Sequence, residues 1–82
     1  MKQSIIGAFK PVRLQHSGRK CDICSVHDAA HELLIEWPID DGEYFYEAVK
    51  ACLDCLEEET PPEVARSAFV QAALEAGIQV EQ

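Results

Sequence analysis

The cysteines fall in two pairs of identical spacing, Cys21-Asp22-Ile23-Cys24 and Cys52-Leu53-Asp54-Cys55, with twenty-seven residues between them. Two residues between cysteines is the spacing of a knuckle, a tight turn that aims two sulfurs at one ion. A single pair is weak grounds for a metal. Two pairs that a folded spacer can bring together are strong ones. The pattern predicts one zinc ion per chain, held by the thiolates of Cys21, Cys24, Cys52 and Cys55 at Zn–S distances of about 2.3 Å. Four thiolates close the coordination sphere, so the predicted site is structural and leaves no open position for a substrate.

Size makes such a staple useful. Eighty-two residues are room for one domain, and at this length apolar burial nearly cancels against the entropy of ordering the chain. Zinc binding, worth on the order of 10 kcal/mol in small metal-stabilised units, would decide that balance, and the apo chain would be largely unfolded. With 48% hydrophobic and 27% charged residues, the composition is globular rather than disordered. No run nears the about 18 to 20 apolar residues of a membrane span. The opening Met1 to Gly7 meets Lys10, Pro11 and Arg13 before a signal-peptide core could form. The chain thus reads as cytoplasmic, where cysteines serve as metal ligands or redox groups rather than as structural disulfides.

Charge divides the sequence. Lys2, Lys10, Arg13, Arg19 and Lys20 lie in the first twenty residues, which hold no acid; all fifteen acids follow, against Lys50 and Arg66 alone. The net charge of -8 disfavours nonspecific binding to phosphates or anionic lipid. Lys10, Arg13, Arg19 and Lys20 form either a solvated strand or a basic patch for an acidic partner.

Val12 and Leu14 alternate with Arg13 and Gln15, the period of a half-buried strand, which Pro11 confines to a sheet edge or splits. Residues 16–20 are turn-like. Residues 31–39 and 43–51 read as two strands joined through Asp40-Asp41-Gly42-Glu43, because Asp-Gly favours a hairpin turn. That register sets Trp37 opposite Tyr46, and the hairpin would return the second cysteine pair to the first. Beyond it, Thr60 is placed to cap a helix, Pro61 suits its first position, Glu63 completes a capping box, and Gly77 provides a left-handed stop. Val64, Ala65, Ala68, Phe69, Ala72, Ala73 and Ala76 give that helix its apolar face. The tail 78–82 reads as frayed.

On the two knuckles, the intervening hairpin and a helix opening at the second knuckle, the chain resembles the treble-clef zinc fingers over roughly residues 19–59. The resemblance implies a small α+β domain: a basic strand or arm over residues 1–20, a zinc core over 21–59 and a C-terminal helix over 60–77. Treble clefs include protein-binding, nucleic-acid-binding and nuclease domains, so the fold alone does not select a function. The Cys-Pro-x-Cys-Gly consensus of zinc ribbons and rubredoxins is missing from both pairs.

His16, His27 and His31 are substitutes at best where four cysteines are available, His27 being the best placed, with Asp28 to orient it. A histidine-metal nuclease would need histidines on the hairpin and helix, and none follows Gly42. A dithiol oxidoreductase needs one reactive thiolate at a helix start in a βαβ unit, which this chain lacks. The expected function is therefore non-catalytic: a zinc-binding module that engages another protein, with exposed aromatics around Trp37, Tyr44, Phe45 and Tyr46. Nucleic-acid binding through the basic segment is the alternative, and thiol redox chemistry a remote one.

Overall fold

Alternation of Val12 and Leu14 with polar neighbours builds strand β1 (Ala8–His16), which turns at Gly18 into strand β2 (Arg19–Ser25). The computed structural model describes residues 8–16, 18–38, 42–57 and 60–81. His16 pairs with Arg19 across the turn, and Gly18 sits at φ 78°, a left-handed conformation that favours glycine. Helix α1 (Val26–His31), a π-helical turn (Glu32–Glu36), helices α2 (Glu43–Leu56) and α3 (Pro62–Glu75) and a last strand β3 (Gln79–Glu81) complete the chain. The sheet is antiparallel in the order β2-β1-β3. The protein is thus a small α+β fold. No helix among the described residues is long and apolar enough to cross a membrane.

β1 is the central strand and not an edge; of the two expectations for Pro11, an edge or a split, the irregularity at Pro11 is nearer the second. The register slips between Ala8 and Val12, and β3 pairs only with Arg13, Leu14 and Gln15. The missing proline N–H therefore falls beyond the third strand's reach. Val12, Leu14 and Ile23 are buried on the inner face of the sheet, with Cys21 and Val80 half-buried beside them. The outer face is polar: Arg13 lies between Asp22 and Glu81, and Gln15 between Lys20 and Gln79.

Residues 31–51 correct the expected hairpin. They contain no strand among the described residues; the π-helical turn and most of α2 stand there instead. In α2, Phe45, Ala48, Cys52 and Cys55 are buried at intervals of three and four, the spacing of one helix face rather than of a strand. Gly42 is not a turn glycine. It has an extended backbone at φ -82° and precedes the first turn of α2. A Cβ at this position would fall where the carboxylate of Glu75 sits and would displace it. That carboxylate reaches over from the end of α3 and accepts hydrogen bonds from the Tyr44 and Phe45 backbone N–H groups at 3.1 and 3.2 Å. A residue thirty-one positions away in the chain thus caps α2. Trp37 packs on Phe69, ring centres 5.4 Å apart, rather than across a hairpin from Tyr46. The expected turn residues Asp40 and Asp41 lie outside the described residues.

α3 matches its expected extent more closely, with a shift of one residue at its start. Pro61 is the residue before the first turn and Pro62 the first helical position, so Thr60 does not cap the helix. The end is a Schellman motif: Gly77 at φ 78° donates its N–H to the Leu74 carbonyl and Ile78 donates to that of Ala73. Ile78 is buried, and the chain then continues as β3. The tail read as frayed is the third strand over residues 79–81, and Gln82 lies outside the described residues.

Candidate functional site

Neither cysteine pair forms a knuckle. Cys21 and Cys24 lie in β2, where an offset of three residues sends them to opposite faces. Cys21 is half-buried on the inner face and Cys24 exposed on the outer one. Cys52 and Cys55 lie in the last two turns of α2 and are buried in the core; Cys55 does not begin a helix.

The surroundings of the thiols differ as much as their positions. Burial pushes the Cys52 thiol up from 9.0 to about 11, with Cys55 adding to the shift. Burial also raises Cys55, with a smaller contribution from Glu63. Cys21 is raised by burial and by Glu32, against an opposing effect of Arg19; its Sγ lies 3.8 Å from Glu32 Oε1. Such shifts disfavour thiolates, the form that attacks disulfides and binds metals. No disulfide joins any of the four cysteines.

Cys21 lines a shallow hollow of about 130 Å³ with Asp22, Asp28, His31 and Glu32. Yet among the described residues no three His, Cys, Asp or Glu side chains converge as a group able to hold a metal ion. As placed here, Cys21, Cys24, Cys52 and Cys55 do not fit a tetrahedral four-thiolate site. His27 and His31 are exposed, and the His16 side chain lies outside the described residues. Asp28 does not orient His27; its carboxylate accepts from Cys24 N–H at 3.1 Å, while Ser25 Oγ accepts from Asp28 N–H at 3.2 Å. The two bonds cap α1 and satisfy a backbone donor of strand β2.

The basic segment is also absorbed locally. Arg13 Nε donates to Asp22 at 2.9 Å across the outer sheet face, and this hydrogen bond draws the Asp22 carboxyl below its ordinary pKa. Arg19 bridges from β2 to the π-helical turn, 3.3 Å from Glu36 and 3.7 Å from Glu32. The Lys10 carbonyl accepts from Arg66 Nε of α3 at 2.8 Å. Lys20 is exposed and faces Gln15 in the sheet.

What remains unengaged is apolar. Leu34, Ile35, Tyr44, Tyr46, Leu53, Val64 and Leu74 are 47% to 65% exposed, and all of them lie on the π-helical turn, α2 or α3. The four expected exposed aromatics divide accordingly: Tyr44 and Tyr46 face solvent, Phe45 is buried, and Trp37 is half-buried against Phe69. Leu34, Ile35, Leu53 and Leu74 were missed in the sequence. The signal available was their position off the stripe set by Phe45, Ala48, Cys52 and Cys55 and by Ala65, Phe69, Ala72 and Ala73. Only the helical reading of residues 32–56 makes the α2 part of that signal visible.

A family model described as protein of unknown function (DUF982) matches residues 10–80, a span that runs from β1 into β3 and includes all four cysteines. No curated protein and no solved structure matches the chain significantly. With nearly its whole length inside the matched span, the chain belongs to the DUF982 family, whose function is unknown.

Proposed function

We propose that the protein is a non-catalytic binding module that engages another protein through its helical layer. One observation carries this reading. Among the described residues, the seven large apolar side chains left in water all belong to the helical elements, whereas the outer face of the sheet carries Arg13, Asp22, Gln15, Lys20 and Gln79. Scattered single apolar residues on a surface are ordinary, but their segregation to one layer is the pattern of an interaction face. Tyr46 and Leu53, seven residues apart, share one stripe of α2 beside half-buried Val49. Tyrosine suits such a place because it offers a large apolar area and a hydroxyl at little entropic cost.

The basic segment supports nucleic-acid binding less well, since two of its guanidinium groups are already paired with carboxylates. A photo-crosslinking residue placed at Tyr46 or Leu53 in cells is expected to capture a recurring polypeptide, while the same residue at Gln15 captures none. Equal capture from all three positions, or none from any, overturns the reading.

A further inference from the structure

Two hollows follow the seam between α2 and α3 and meet at Glu47. The larger, about 300 Å³, is lined by Glu43, Tyr44 and Glu47 from α2 and by Ser67, Ala68 and Gln71 from α3. The smaller, about 160 Å³, continues past Lys50, Ala51 and Asp54 to Thr60 and Val64. At a rise of 1.5 Å per residue, the α2 wall from 43 to 54 makes a groove about 17 Å long, room for five extended residues or three helical turns.

We infer that this groove docks a basic, partly apolar peptide segment of another protein. The inference rests on the binding-module reading and supplies the chemistry of the partner. The two walls differ in charge. The α2 wall carries Glu43 and Glu47 one turn apart, a like-charged spacing that disfavours the helix unless a cation lies between. Among the described residues no cation pairs with either carboxylate, whereas Asp54 further along is held by Lys50 at 3.2 Å. The α3 wall offers only neutral Ser67, Ala68 and Gln71. Apolar anchors stand toward the two ends: Tyr44 is 48% exposed and Val64 47%. Half-buried Ala51 and Ala68 keep the floor low enough for close approach. At the other end Thr60 and Val64 close the hollow. Lysine or arginine side chains of the partner would meet Glu43 and Glu47, and an apolar side chain would cover Tyr44. A phosphate backbone or an anionic bilayer would be repelled by the same wall.

Fluorescence anisotropy with a labelled amphipathic peptide of leucine and lysine, beside a counterpart with glutamate for lysine, tests the proposal. The lysine peptide is expected to bind, more weakly as salt is raised, and the glutamate peptide not to bind. The double variant Glu43→Gln with Glu47→Gln is expected to weaken binding by about tenfold, equivalent to about 1.4 kcal/mol, while Gln15→Ala on the sheet leaves it unchanged. Both substituted glutamates are exposed, and an unchanged circular-dichroism spectrum confirms the fold. Binding that survives the double glutamine variant but is lost on Tyr46→Ser with Leu53→Ser overturns the groove and leaves the binding-module reading standing. Absence of binding to wild-type protein also overturns the groove, and the crosslinking experiment then decides the broader reading.

Discussion

Cys21 and Cys24 share their spacing with Cys52 and Cys55, and the fold gives the two pairs opposite fates. In a strand, side chains alternate, so an offset of three separates the first pair across the sheet. In a helix the same offset turns through about 300°, which keeps the second pair on one face. That face is the buried one, because Phe45 and Ala48 lie on it too. A C-x2-C spacing therefore states no geometry of its own. It becomes a knuckle only where the chain turns between the cysteines, and here neither pair has a turn between its members.

Chemical reactivity should separate the pairs most widely. Raising Cys52 from 9.0 to about 11 alone lowers its thiolate fraction near neutral pH about a hundredfold, and burial adds to the protection. Iodoacetamide followed by peptide mass spectrometry should therefore label Cys24 first, Cys21 more slowly, and Cys52 and Cys55 only on unfolding. Labelling of all four at one rate would dissolve the contrast. Serine substitution comes next in size. Cys52→Ser places a hydroxyl in the core and should cost about 1 to 3 kcal/mol in urea denaturation, against less than about 0.5 kcal/mol for exposed Cys24→Ser. A shared metal site would make both losses large, so equal costs would restore that reading.

The helix that carries the buried pair is anchored from a distance, which gives a further test. Glu75→Ala should cost about 1 kcal/mol through loss of the cap on α2. Gly42→Ala should cost a similar amount by displacing the same carboxylate, and the double variant should cost little more than either single one. Additive losses would disconnect Gly42 from Glu75. In alkali, the unfolded chain releases the Cys52 proton before the folded one does. That contribution to stability is therefore whole below pH 9 and is lost as the pH rises from 9.0 toward about 11. The effect should shrink in Cys52→Ala. Smallest of all is the expected response to chelation: EDTA should leave the circular-dichroism spectrum and the urea midpoint unchanged, and loss of structure would reunite the pairs around a metal.

The alternation of β1 and the stop of α3 were more legible than the segment between residues 31 and 56, and the strand after that stop was not legible at all. Val12 and Leu14 announce their strand by strict alternation, and Gly77 marks the stop of α3 because a left-handed residue is required there. Between residues 31 and 56 two patterns compete. Trp37, Tyr44 and Tyr46 alternate about Asp-Gly as a hairpin would, whereas Phe45, Ala48, Cys52 and Cys55 recur as a helix would. The second pattern prevails because it buries one continuous helix face over residues 45–55, with Glu47, Ala48, Lys50, Ala51 and Leu53 as good helix formers, and is supported by the Lys50 to Asp54 pair. What no local pattern could reveal is the reason for Gly42, since its partner Glu75 belongs to another helix. The cysteine positions were legible as spacing, but their separation depended on which period each segment adopted.

β3 completes the sheet with residues from the far end of the sequence, pairing Gln79, Val80 and Glu81 with Gln15, Leu14 and Arg13. Its closure joins Arg13 to Glu81, so of the two strand pairings it has the greater loop entropy and forms after the β1–β2 hairpin in a chain made from its N-terminus. Until Glu81 has left the ribosome, one side of β1 offers unpaired backbone donors and acceptors while the β1–β2 hairpin can already form. The three-residue strand thus acts as a late seal, and a nascent or shortened chain lacking it would expose the central strand to the self-association that open edges invite.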